Sequence, residues 1–267
     1  MQFSTTRNIC AAFLLLTVSG VAATADGLKA LEKKDYATAY REFKAGADKG
    51  DAVAQLKLGL MYARGLGVER DVPTAIGLYQ SAAAQGNAQA EFALGFIYAK
   101  GWGVPQNYTQ ASYWYQQAAD QGEARAQNEI AELYEDGFGV QKDYAAAAHY
   151  YLLAARKGDA RAQYGLAQLM EKGQGVPRDL NAAVKWYREA ADQGLASAQE
   201  RLGAMYASGT GVEVNNTEAF FWSTLAAKQK ERAAERRLRA MEARLSAEQA
   251  RQVKASAQEW KPAFALK

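Results

Sequence analysis

Apolar residues recur at spacings of three and four along most of the chain, and short glycine-bearing breaks interrupt them. That spacing puts apolar side chains on one face of an α-helix. Residues 88–123 read as two such helices. Ala88, Ala90, Phe92, Leu94, Gly95 and Tyr98 mark the first, helix A. It stops at Gly101-Trp102-Gly103, where glycine supplies the left-handed conformation that a helix end favours. Asn107 then offers a side-chain oxygen to cap the second, helix B, which carries Ala111, Trp114, Tyr115, Ala118 and Ala119. Gly122 closes it.

The same unit returns every 36 residues, with copies opening at Ala52, Ala88, Ala124, Ala160 and Ala196. The cap position recurs as Asp71, Asn107, Asp143, Asp179 and Asn215, and Gly86, Gly158 and Gly194 close helix B in the other copies as Gly122 does here. A fixed period in this range marks a repeat array, because one helix pair cannot bury both its faces without neighbours. The middle of helix A is small in every copy: Gly59, Gly95, Ala131, Ala167 and Gly203. A small residue there lets helix B approach, with Tyr79, Tyr115, Tyr151 and Tyr187 lying across the gap. Ala131 and Ala167 suggest that Gly95 tolerates alanine but not leucine.

Ala90, Leu94, Gly95, Tyr98, Gly101, Gly103, Val104, Asn107, Ala111, Trp114, Tyr115, Ala118, Ala119 and Gly122 together resemble the Sel-1-like repeat, a relative of the tetratricopeptide repeat. The match runs from about Ala52 to Ala227. Met170 departs from it in the fourth copy, and Ser223 and Lys230 in the fifth, which erodes toward a cap. The resemblance implies an all-α fold, a right-handed α/α superhelical solenoid, that binds proteins or peptides.

The ends read differently from the repeats. Arg7, an apolar run from Ile9 to Val21 and Ala23-Thr24-Ala25 have the order of a secretory signal peptide cleaved before Asp26. The reading is therefore a signal at 1–25, a degenerate repeat at 26–51, five repeats at 52–230 and capping helices at 231–267, some 14 helices in one stack. Asp35 is a candidate cap in the first repeat. Ser246 with Gln249 forms a capping box before the last helix, which Pro262 ends. The expected compartment is the periplasm or the medium. Cys10 lies within the signal, so the mature chain has no cysteine, unlike the disulfide-stapled exported relatives.

Charge is uneven. The total is +3, yet Lys228 to Lys254 holds nine basic and four acidic side chains, which leaves the rest mildly acidic. A solvated cap explains that basic end. Contact with an anionic membrane is the sharper alternative, and it is confined to that end. Nucleic acid is not expected after export. Catalytic chemistry has little to work with. The only histidine, His149, aligns with Gly77, Tyr113, Lys185 and Phe221, as expected of an outer surface. The Gly-x-Gly turns follow helices rather than strands and recur in every copy, so they read as caps, not phosphate loops. No cofactor or metal is expected. A cell-wall-directed hydrolase or penicillin-binding activity, as in the cysteine-rich relatives, is the alternative to a scaffold.

One face of helix A does not repeat. It reads Leu56 and Leu60, then Phe92 and Phe96, then Asn128, Glu129 and Glu132, then Tyr164 and Gln168, then Glu200 and Ala204. Related superhelices line their concave side with the A helices. We therefore expect a groove for a protein or peptide, apolar near its N-terminal end and acidic in the middle, where Glu129, Glu132, Glu135 and Asp136 would meet basic residues. The competing reading makes Phe92 and Phe96 core. Trp102 and Phe138, at the middles of adjacent Gly-x-Gly turns, are expected to add an aromatic patch at one edge.

Overall fold

The computed structural model of the protein describes residues 23–263, and among them every regular element is an α-helix. The signal-peptide stretch up to residue 22 lies outside the described residues. Two compact units are present, one ending at Ala126 and one beginning at Gln127. The first holds α1 (23–32), α2 (Tyr36–Ala47), α3 (Ala52–Arg64), α4 (Val72–Ala83), α5 (Ala88–Lys100) and α6 (Tyr108–Asp120). The boundary falls in the first turn of α7 (Ala124–Asp136). The second continues with α8 (Tyr144–Arg156), α9 (Ala160–Lys172), α10 (Leu180–Asp192), α11 (Ala196–Ser208) and α12 (Asn216–Lys228). It ends with α13 (Arg232–Glu242) and α14 (Ala247–Glu259). From α2 to α6, and again from α8 to α13, each helix packs on its successor; α14 folds back onto α12.

The caps follow the sequence. Asp71, Asn107, Asp143, Asp179 and Asn215 each accept backbone N–H groups at the start of a B helix, and Asp35 does so for α2. The Ser246–Gln249 capping box opens α14. The A helices have caps that the pattern did not single out: Asp51, Asn87 and Asp159. Asp51 also accepts the Thr24 hydroxyl at 3.1 Å, so α1, which includes Ala23-Thr24-Ala25, is tied to the start of α3.

The crossing of helices A and B is solved in two ways. Tyr115 lies against Gly95 so closely that a Cβ there would sit 2.4 Å from the ring's Cδ1, and at Gly59 the contact with Tyr79 would be 2.9 Å. Alanine therefore does not fit at Gly95 without moving the ring, which corrects the expectation drawn from Ala131 and Ala167. Where alanine stands, the tyrosine hydroxyl has a hydrogen-bond partner. Tyr151 and Tyr187 each donate a hydroxyl hydrogen bond, at 2.9 Å, to Glu135 and Glu171. The glycine copies carry Ala63, Ala99 and Ala207 at those positions. Residue size and the glutamate four positions on thus go together.

A glutamine ladder ties helix to helix. Gln85 donates to Gln55, Gln193 to Gln163 and Gln229 to Gln199, at 2.8–3.0 Å. Gln163 and Gln199 in turn donate to the carbonyls of Ala155 and Ala191 in the preceding copy. The second copy breaks the rule with Glu91, only 5% exposed, which accepts from Gln121 at 2.7 Å and cannot make the donating bond as a carboxylate. Burial pushes its carboxyl above the usual carboxylate range, partly offset by Gln121. A raised carboxyl stabilises the fold below the unfolded pKa and loses that contribution as pH rises through the folded pKa. Glu91→Gln is accordingly expected to stabilise the protein by about 1 kcal/mol at neutral pH. The gain should shrink as the pH is lowered through the carboxylate range. Denaturant midpoints at pH 4 and pH 7 check this, and a variant that matches the parent at both would refute it.

Candidate functional site

The non-repeating A-helix face is described within each unit. In the first, Leu56 is 8% exposed and packs in the core with Tyr79 and Leu94, so Leu60, half-buried, is the leucine of α3 that reaches the surface there. Phe92 is half-buried, its ring 5.7 Å from that of Tyr115. Phe96, one turn on, is 38% exposed. Trp102 leaves the Gly-x-Gly turn and folds back onto its own helix, edge-on to Phe96 at 6.4 Å between centroids. The two readings of Phe92 and Phe96 therefore divide between them: Phe92 braces the ring of Tyr115, while Phe96 faces water.

Two arginines that the sequence did not bring forward join this cluster. The Arg125 guanidinium lies over Phe92 at 4.4 Å, and that of Arg70, from the α3–α4 connection, lies over Trp102 at 5.0 Å. Arg125 holds the face position of Arg161, and Arg70 aligns with Gln106 and Arg178, which likewise donate to a carbonyl seven residues back.

In the second unit the acidic stretch is largely taken up by internal bonds. Glu129 pairs with Arg161 at 3.3 Å, and Glu135 accepts from Tyr151. Arg201 pairs with Glu171, and Arg237 with Glu200 at 2.6 Å. Glu132 is exposed and accepts from the buried Asn128 at 2.8 Å. Desolvation by its surroundings raises its carboxyl, and the charge of Glu129 adds to that. Tyr164 is half-buried, 5.5 Å from the Tyr187 ring, and accepts from Gln168 at 3.1 Å. Burial raises its hydroxyl pKa. Phe138 is 48% exposed. His149 is exposed on α8, as its alignment suggested, with its ring 5.2 Å from Tyr150.

Hollows lined by Tyr62, Val68, Glu69, Arg70 and Asp71 in one unit, and by Tyr134, Val140, Gln141, Lys142 and Asp143 in the other, occupy equivalent positions of two copies. They belong to the repeat framework. Among the described residues no group of three or more His, Cys, Asp or Glu side chains could hold a metal ion. No described helix is long and apolar enough to cross a membrane.

The Sel1 repeat profile matches five consecutive segments of the chain, 52–87, 88–123, 124–159, 160–195 and 196–231. The chain belongs to the Sel1 repeat family. Sel1 repeat proteins generally act as protein–protein interaction scaffolds and are typically non-enzymatic. The crystal structure of a Sel1 repeat protein from Oxalobacter formigenes is similar, with 32% identity and a TM-score of 0.77, covering 88% of this chain and 96% of that one. A protective antigen present in uropathogenic Escherichia coli strains, displaying an SLR fold, is 26% identical with a TM-score of 0.62. That likeness covers 93% of this chain and 60% of the antigen, so this chain spans less than two thirds of it. None of the curated proteins matches the chain.

Proposed function

We propose that this Sel1 repeat protein is an exported, non-enzymatic scaffold that holds a protein or peptide segment on the face its A helices line. The observation that carries this reading is Phe96. It is a large apolar side chain, 38% exposed, at a position where other copies carry Glu132 and Ala204 without losing the repeat. Apolar surface that packing does not require usually marks an interaction site. Leu60 and Trp102 lie on the same unit and extend it. Export is inferred from the order of charge, apolar run and small residues ahead of Asp26.

The reading is tested by separating Phe96 from Phe92. Phe96→Ser is expected to leave melting within about 0.5 kcal/mol of the parent, since exposed positions away from packing change little. Binding to the partner recovered by cross-linking should fall by about 2 kcal/mol, the size of a hot-spot loss. Phe92→Ser, in contrast, should lower stability, because Tyr115 loses its neighbour. Unchanged binding with Phe96→Ser would remove this face as the site. The chain recovered from cells should begin at Asp26 outside the cytosol; one beginning at Met1 in the cytosol would refute export.

A further inference from the structure

The A-helix face of the first unit carries two groups of contacts one helical turn apart: Arg125 over Phe92, then Phe96 against Trp102 with Arg70 over Trp102. A strip of three aromatic rings is thus closed at each end by a guanidinium. Both arginines are anchored through Nε alone. Arg125 Nε bonds Glu123 at 2.8 Å, and Arg70 Nε donates to the Ala63 carbonyl at 3.3 Å. Each is therefore fixed in place while its paired Nη groups remain open, and both residues are exposed. Stacking on a ring also orients the guanidinium plane, which limits the side-chain entropy lost on binding.

The charges nearby agree. Lys57, Arg64 and Lys100 lie on the same face of α3 and α5 and make no ion pair among the described residues. Arg64 and Lys100 also suit the C-terminal ends of their helices, as Arg70 does through its bond to the Ala63 carbonyl. Acidic residues equal basic ones in number between Asp26 and Arg125; Glu123 bonds Arg125 of the strip, and most of the others sit elsewhere, in caps, in surface pairs, and at the buried Glu91. The face is apolar and cationic in a unit whose charges balance as a whole.

We propose that this strip docks a peptide segment in which apolar anchors are flanked on both sides by an aspartate or glutamate. The anchors would lie along Phe92, Phe96 and Trp102. The flanking carboxylates would each take a bidentate pair of N–H···O bonds from Arg70 and Arg125, the geometry the guanidinium fork favours. The contacts laid end to end span roughly 20 Å, which places the two acidic residues about six positions apart in an extended segment. This inference rests on the scaffold reading and specifies its ligand.

The test is a randomised peptide library displayed on phage and panned against the purified full chain. The expected winners carry apolar residues between two acidic ones. A synthetic winner should bind Arg70→Gln/Arg125→Gln at least tenfold more weakly than the parent, with melting unchanged. Arg70→Lys/Arg125→Lys keeps the charge but loses the fork, so its loss should be smaller yet measurable. Binding to the parent should also weaken as salt is raised, a readout that needs no variant. Winners without acidic residues would overturn the strip while leaving the scaffold reading standing. So would acidic winners indifferent to both arginine variants and to salt. If no peptide is enriched, both readings fall.

Discussion

Gly175→Ala is expected to destabilise the protein by about 3 kcal/mol, as the sum of a left-handed backbone penalty and overpacking. Gly175, the second glycine of its turn, has φ +68°, and a Cβ would stand 2.2 Å from the backbone carbonyl of Tyr144 at the start of α8. Backbone cannot swing aside as a side chain can. The same seat recurs where Gly211 meets Leu180, Gly103 meets Val72 and Gly67 meets Tyr36, each the first residue of the B helix one copy back. The second glycine therefore serves the junction between copies, a role the reading as cap plus turn does not contain. Gly77→Ala is the control. Gly77 lies inside α4 with nothing within 4 Å of its would-be Cβ, so alanine should stabilise by about 1 kcal/mol there. Urea midpoints for the two variants should move in opposite directions. Equal shifts would show that the close approach of Gly175 to α8 does not hold in solution.

The second large effect is at the A–B crossing. Gly95→Leu should cost about 3 kcal/mol or more, and Gly95→Ala about 1–3 kcal/mol, because Tyr115 is 1% exposed and has no open side to move into. The penalty for alanine should shrink in a Tyr115→Leu background, since the clash is with the ring itself. That coupling, read from a double-mutant cycle, distinguishes a steric cause from a change in helix propensity. Propensity alone would make alanine the better residue in the helix interior. A Gly95→Leu chain that melts with the parent would place the crossing elsewhere.

Much of this molecule was legible before any coordinates. The period of 36, the helix pairs, the B-helix caps from Asp71 to Asn215 and the capping box at Ser246 all stand in the structure as the pattern gives them. Each depends on residues within a few positions of one another, where spacing along the chain fixes spacing in space. His149 was placed on the surface by the same logic, because its aligned residues share no chemistry.

What the sequence did not decide lies between helices. Gly95 and Ala131 align, yet a Cβ at the first would meet the Tyr115 ring, while beside the second Tyr151 bonds the glutamate four residues on. Glu129, Glu132, Glu135 and Asp136 read as one acidic stretch, but Arg161 and Tyr151, from other helices, take up two of the four. Phe92 and Phe96 look equivalent on a helical wheel, and only packing assigns one to Tyr115 and the other to solvent. Arg70 aligns with Gln106 and Arg178, which bond the end of the preceding helix as it does, but its place over Trp102 follows from two loops in consecutive copies meeting side by side. Sequence by itself determined the local conformation and the repeat. Which side chain each helix presents to its neighbour or to water was decided only in the tertiary structure, because that depends on partners some thirty residues away.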